Sequence, residues 1–188
     1  YFKRDGEIAY LYGYGDDAER YTFFSNAVLE AMRILDFYPD IINLNDWHTG
    51  MIPLILKEKY NNLEQYRSIK TVYTIHNLQY QGVFGREVLD DVLLLPDKHL
   101  YNGDVEYYGG VSFMKSGIVF SDKVTTVSPT YTNEIQTKFY GEGLDGLLSA
   151  RHFDMQGIVN GIDYTNYNPE TDAKLYVNFK SKWMKPSE

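Results

Sequence analysis

Cysteine is absent from all 188 residues, which removes disulfides and thiolate metal sites from consideration. A reducing, cytoplasmic setting is the expected location. Long apolar runs are absent too: none approaches the roughly 18 to 20 residues needed to span a bilayer. The start of the chain does not show the charged, apolar, then small-residue order of an export signal. No membrane partner is expected. Dense basic runs are also missing, and 18 Lys and Arg against 26 Asp and Glu give a formal net charge of −8. Such a field opposes phosphate backbones and anionic surfaces, so nucleic acid is not an expected partner. Several catalytic signatures are lacking as well. There is no Walker phosphate loop, no H-E-x-x-H, no D-x-D to hold a metal against a diphosphate, and no G-x-S-x-G elbow around Ser128. The glycine-rich "GEGLDG" at 141–146 follows a helical pattern instead of opening one after a strand, and reads as a loop. Neither a metal nor a bound cofactor is expected.

What is present is a chain of 44% hydrophobic and 16% aromatic residues, enough to bury the core of one compact domain with a tail. "DDAERYTFFSNAVLEAMRILDF" places Tyr21, Phe24, Val28, Ala31 and Leu35 three and four apart, which predicts an amphipathic helix capped by Asp16 or Asp17. "IINL" after Pro39 is a short buried strand. "TGMIPLILKEKY" predicts a second helix with Thr49 as cap and Pro53 inside the first turn, where its missing N–H breaks no internal bond. "SIKTVYTI" and "DKVTTV" read as strands, and "VSFMKSGIVFS" as a buried helix weakened at Gly117. "SPTYTNEIQTKF" predicts a helix with Ser128 as N-cap and Pro129 at its first position. Strands that alternate with helices and are almost wholly apolar imply an α/β fold, a Rossmann-like parallel sheet with helices on both faces. Beyond "QGIVNGID" the composition turns to Asn, Tyr, Asp, Pro and Lys, so the expected domain spans 1–162 and the expected linker 163–188.

In open parallel sheets ligands bind beyond the carboxyl ends of the strands. Three strands here lead into polar clusters: "NDWHTG" at 45–50, "HNLQYQG" at 76–82 and "NGID" at 160–163. If the sheet is parallel, Asp46, Trp47, His76, Asn77, Gln81 and Asn160 come to one edge as the wall of a polar-ligand site. Each has a second reading. His76 serves equally as a loop histidine satisfying backbone groups, and Asp46 as a helix cap. Trp47 suits a sugar face but also a packed core. Asn77 and Asn160 suit left-handed turn positions. His48, His99 and His152 read as surface or structural.

Taken in order, "DDAERYTFFSNAVLE", "PDIINLNDWHTGMIP", "TVYTIHNLQYQGVF", "VSFMKSGIVFSDKVTTVSPTYTNEIQT", "GEGLDGLLSAR" and "GIVNGIDYTNYNPETD" resemble the bacterial glycogen synthase and plant starch synthase family. The resemblance covers nearly the whole chain, with "HNLQYQG" the most diagnostic part. It implies the later part of the N-terminal Rossmann-like half of a GT-B glycosyltransferase, whose active site lies in the cleft between two domains. The implied activity is retaining transfer of glucose from ADP-glucose to the non-reducing 4-hydroxyl of an α-1,4-glucan such as glycogen, without a metal, in glycogen biosynthesis. Asp46 and His76 are the implied catalytic residues, and Trp47, Asn77, Gln81 and Asn160 the implied substrate-binding ones. Asn45 departs from the pattern, standing where the family often has His. The family's C-terminal domain and its Lys-x-Gly-Gly motif are not in this sequence, and the chain opens on Tyr1-Phe2 without an initiator Met, as a processed product or cut piece would. The chain alone is therefore expected to be inactive. A non-catalytic glucan-binding module and a sugar-nucleotide transferase of other donor specificity are the competing readings.

Overall fold

The computed structural model describes residues 11–180. The opening Tyr1-Phe2 and the last part of the expected linker, 181–188, lie outside the described residues. The main sheet is parallel throughout, with strands β1 (Ile41–Asn45), β2 (Lys70–Ile75), β6 (Lys123–Thr126) and β7 (Met155–Gly157) side by side in that order. Its inward side chains, among them Leu44, Tyr73, Ile75 and Val124, are buried, which accounts for the apolar runs in the sequence. A second, antiparallel sheet is made of β3 (Val83–Phe84), β4 (Glu106–Tyr107) and β5 (Gly110–Ser112), with β5 in the middle. Strands of two or three residues are too short to show a period, so the sequence pattern does not reveal them.

The helices are α1 (Asp17–Leu35), α2 (Ile52–Ile55), α3 (Glu64–Arg67), α4 (Lys98–Tyr101), α5 (Phe113–Phe120), α6 (Pro129–Glu134) and α7 (Asp145–Ala150). In α1 the buried stripe differs from the expected one: Tyr21, Ser25, Leu29 and Met32 face inward, while Phe24 and Leu35 are exposed. The stripe is rotated because the first turn buries an ion pair. Arg20, 1% exposed, donates to Asp17, whose carboxylate also accepts the backbone N–H groups of Gly13 and Tyr14. That carboxylate, rather than Asp16, orders the entry to the helix. Arg20 and Tyr21 then both donate to the Leu11 carbonyl and hold the preceding segment against α1. The expected single helix after Thr49 is instead a 3-10 turn at Trp47–Thr49, then α2, then a π turn at Leu56–Tyr60. Thr49 does not cap it; its hydroxyl bonds the backbone of Asn45.

Ser128 does cap α6, accepting the Tyr131 N–H at 3.2 Å, and Ser112 caps α5 in the same way through Lys115 N–H at 3.0 Å. Gly117 is not a weak point in α5. A Cβ there would lie 2.3 Å from the ring of buried Tyr73, so the missing side chain is what lets α5 approach β2. At the far end of α5 the Arg151 guanidinium donates to the carbonyls of Ile118, Val119 and Ser121, satisfying acceptors that a helix terminus leaves open.

The chain divides into two compact units, Tyr1–Ile158 and Val159–Glu188. In the second, turns replace regular elements among the described residues. The Asp163 carboxylate accepts the N–H groups of Thr165 and Asn166 and the Asn166 amide, and these bonds hold its carboxyl below the ordinary range.

Candidate functional site

Strands β1 and β2 run side by side with Asn45 opposite Thr74, so the residues that follow them emerge at one edge. Asp46 continues the ladder by donating its N–H to the Thr74 carbonyl at 2.9 Å. Its backbone then turns through φ +55°, ψ −178°, a region open almost only to glycine. Its carboxylate does not cap the 3-10 turn that follows. Instead Oδ1 accepts the backbone N–H of His76 at 2.9 Å, which joins the loop after β1 to the loop after β2. The His76 ring is tied as well, with Nε2 2.9 Å from Asn45 Oδ1. The sequence-derived pair Asp46 and His76 is thus in direct contact at the carboxyl edge of the sheet.

Beside them lies a recess of about 220 Å³ lined by Tyr12, Asp46, Trp47, His48, Asn77 and Tyr80. A second, more apolar recess of about 470 Å³ shares Asp46 and His48 and adds Leu11, Tyr21, Phe24, Asn45 and Thr49. Trp47 lines the smaller recess. It is 4% exposed, stacks on His48 with ring centres 4.1 Å apart, and meets Tyr21 edge-on at 4.7 Å. Its ring also explains the glycine that closes "HNLQYQG": Gly82 has φ +58°, and a Cβ on it would stand 2.2 Å from the Trp47 indole. His48, expected at the surface or in a structural role, is half-buried and lines both recesses. Burial pushes its pKa down, against the opposing pull of Asp46 and Asp17, and so favours the neutral ring. Burial likewise raises the Tyr21 hydroxyl, although Arg20 works against it.

The other sequence-derived residues are placed less uniformly. Asn77 lines the smaller recess, while its Oδ1 accepts the Gln79 N–H at 3.1 Å in a local turn. Gln81 is 6% exposed, and its amide donates to the Glu142 carbonyl at 2.9 Å and the Tyr107 hydroxyl at 3.3 Å, so its side chain braces the "GEGLDG" loop. Asn160 is exposed and belongs to the second compact unit. Three site residues had no distinct signal in the sequence. Tyr12 and Tyr80 are lost among 18 tyrosines, and Tyr131 reaches from α6 to accept the Leu78 N–H at 3.0 Å. Among the described residues no group of three or more His, Asp or Glu side chains is arranged to hold a metal ion. No described helix is long and apolar enough to cross a membrane.

The sequence profile of a family described as "Starch synthase catalytic domain" matches residues 1–150. The glycogen synthase of Clostridioides difficile is 63% identical over 179 residues, which are 95% of this chain and 37% of that protein. The glycogen synthase of Clostridium acetobutylicum is 54% identical over 185 residues, 98% of this chain and 38% of that protein. Among solved structures, the catalytic domain of starch synthase IV from Arabidopsis thaliana, bound to ADP and acarbose, superposes with a TM-score of 0.79 at 34% identity, over 93% of this chain and 36% of that one. The chain thus spans well under half the length of these relatives.

Proposed function

The chain belongs to the starch synthase catalytic domain family, and from that premise we propose that it is the later part of the N-terminal half of a cytoplasmic GT-B glucosyltransferase. The reaction we assign to the whole protein is transfer of glucose from ADP-glucose to the non-reducing 4-hydroxyl of an α-1,4-glucan, with retention, in glycogen synthesis. The bond from the glucose C1 to the diphosphate breaks, a bond from C1 to the acceptor oxygen forms, and the acceptor proton leaves with the displaced ADP. The observation that carries this reading is the Asp46–His76 contact, held at the strand edge by a backbone conformation that an Asp adopts only at a cost.

In the transition state C1 gains positive character and the diphosphate negative charge. Asp46 and His76 hold the hydroxyls of the transferred glucose and orient its ring, and the Asp46 carboxylate provides negative potential on the sugar side. Asn77 is assigned to donor binding, as is, separately, Asn160 at the hinge. Trp47 contributes as part of the wall of the smaller recess, and Gln81 by fixing the loop at Glu142. The cations that neutralise the diphosphate belong to the remainder of the protein, and no step calls for a metal. Donor and acceptor held together in a closed cleft account for much of the rate. One wall of that cleft cannot do this, so the 188-residue chain by itself is expected to transfer nothing.

The test uses the native-length protein with labelled ADP-glucose and glycogen, run beside UDP-glucose. Label entering the polymer from ADP-glucose is expected, and Asp46→Ala or His76→Ala should lower turnover on the order of 10²-fold while the thermal midpoint moves little. A folded protein that transfers label from neither donor would overturn the assignment and leave the glucan-binding module as the better account.

A further inference from the structure

Asn45 is the last residue of β1, and its backbone is pinned at both ends. Its N–H donates to Thr49 Oγ1 at 2.8 Å, and the same hydroxyl donates back to its carbonyl at 3.0 Å. The side chain therefore projects from a fixed base, and its Oδ1 lies 2.9 Å from Nε2 of His76. His76 is fixed from the other side as well, since its backbone N–H is held by Asp46. Both side chains are otherwise exposed, so the pair is not explained by packing. An amide oxygen accepts hydrogen bonds and cannot donate them. The contact consequently demands a proton on Nε2, and in the neutral imidazole that leaves the lone pair on Nδ1.

We propose that Asn45 is a positioning residue that holds His76 as the Nε2–H tautomer, so that Nδ1 is presented at the sheet edge as an acceptor for a hydroxyl of the bound sugar. The ligand half of this statement rests on the sugar-site reading of His76; the tautomer half does not. The chemistry separates Asn45 from a mere spacer. With the opposite tautomer the ring would offer an N–H where the sugar also offers an O–H donor, and the hydroxyl would have to rotate and give up whatever acceptor it serves. An asparagine keeps the same acceptor at every pH, whereas an ionisable partner at this position would make the orientation of His76 depend on its own charge.

The full 188-residue chain, labelled with nitrogen-15, tests this by long-range correlation of the imidazole protons with the ring nitrogens, which distinguishes a protonated from a bare nitrogen directly. In the wild type the His76 Nδ1 is expected to resonate as a bare, pyridine-type nitrogen and Nε2 as a protonated one. Asn45→Ala should move both toward the average of the two tautomers, and Asn45→Asp, whose ionised carboxylate retains the acceptor, should restore the wild-type pattern at a pH where the imidazole is neutral. A wild-type spectrum with the proton on Nδ1 would show that the Asn45 amide donates rather than accepts and would overturn the proposal. So would an Asn45→Ala spectrum unchanged at His76. Because the wild-type measurement decides the tautomer unaided, misfolding of the alanine variant does not remove the test. ADP-glucose, the donor whose glucose His76 is proposed to hold, is then added to the wild type. A shift of Nδ1 supports its role as acceptor, whereas the expected tautomer with every resonance around His76 unmoved would overturn the sugar role of Nδ1 and leave the positioning by Asn45 standing.

Discussion

Asp46 carries a backbone strain that its own hydrogen bond offsets only in part. Its φ of +55° with ψ near 180° costs a residue with a side chain about 1 to 3 kcal/mol. The hydrogen bond to the His76 N–H returns little of this at an exposed edge, where water is an alternative partner. Asp46→Gly relieves the strain and adds back a few tenths to about 1 kcal/mol in unfolded-chain entropy. Asp46→Ala retains the strain and loses the bond. Urea unfolding is expected to rank glycine at or above the wild type and alanine below both, with glycine and alanine separated by about 1 to 2 kcal/mol. Equal stability of the two variants would show that the backbone at this position is not strained. The sequence displayed Asp46 and His76 through their place after apolar strands, because parallel pairing brings such positions to one edge. It could not display the strain, since an Asp before a Trp has no spacing that betrays a positive φ. Gln81 was legible as a polar residue in a polar loop, but which way its amide turns is decided by Tyr107 and the Glu142 carbonyl, from segments remote in sequence.

At the scale of elements, the alternation of strand and helix was readable because β1, β2 and β6 are short, β-branched or apolar stretches with segments of helical period between them. Ser128-Pro129 announced the start of α6 for the same local reason. The misjudged stripe on α1 shows what periodicity misses: an Arg20–Asp17 pair scores as polar and is nonetheless buried. Gly117 is the parallel case in α5, where a helix-weakening residue is present because Tyr73 occupies the space of its side chain. Gly117→Ala raises intrinsic helix propensity by up to about 1 kcal/mol, yet overpacking in a dense core costs about 1 to 3 kcal/mol. The nearest ring atoms belong to a fully buried residue on the central β2, which has little room to give. The substitution is therefore expected to lower the unfolding free energy, and a gain in stability measured by denaturant titration would contradict the close approach of α5 to β2.

For the molecule as a whole, acid sensitivity should reach the fold through the recess before it reaches most carboxylates. Burial lowers the pKa of His48 in the folded state, so the folded chain binds fewer protons at this ring than the unfolded chain does. Its contribution is complete above the unfolded value, near pH 6.5, and is lost as pH falls through the folded value. Stability measured from about pH 7 down to pH 5 should decline, and His48→Phe, which preserves a ring against Trp47, should flatten that part of the curve. An unchanged slope in the variant would assign the decline to other groups. The plan of the parallel sheet was legible from β1, β2 and β6, whereas β7, with the sequence MQG, carried no strand signature. The change in composition points to a boundary at 162, and the chain divides into compact units between Ile158 and Val159.

The Trp47–His48 stack has an optical consequence. The sequence has two tryptophans, and Trp183→Phe would leave Trp47 as the sole indole emitter, set in the lining of the smaller recess. An indole face against an imidazole is sensitive to that ring's charge through quenching, and its emission colour to water or a saccharide arriving above it. The site thus contains its own dye, fixed in place by the glycine at 82 that makes room for it.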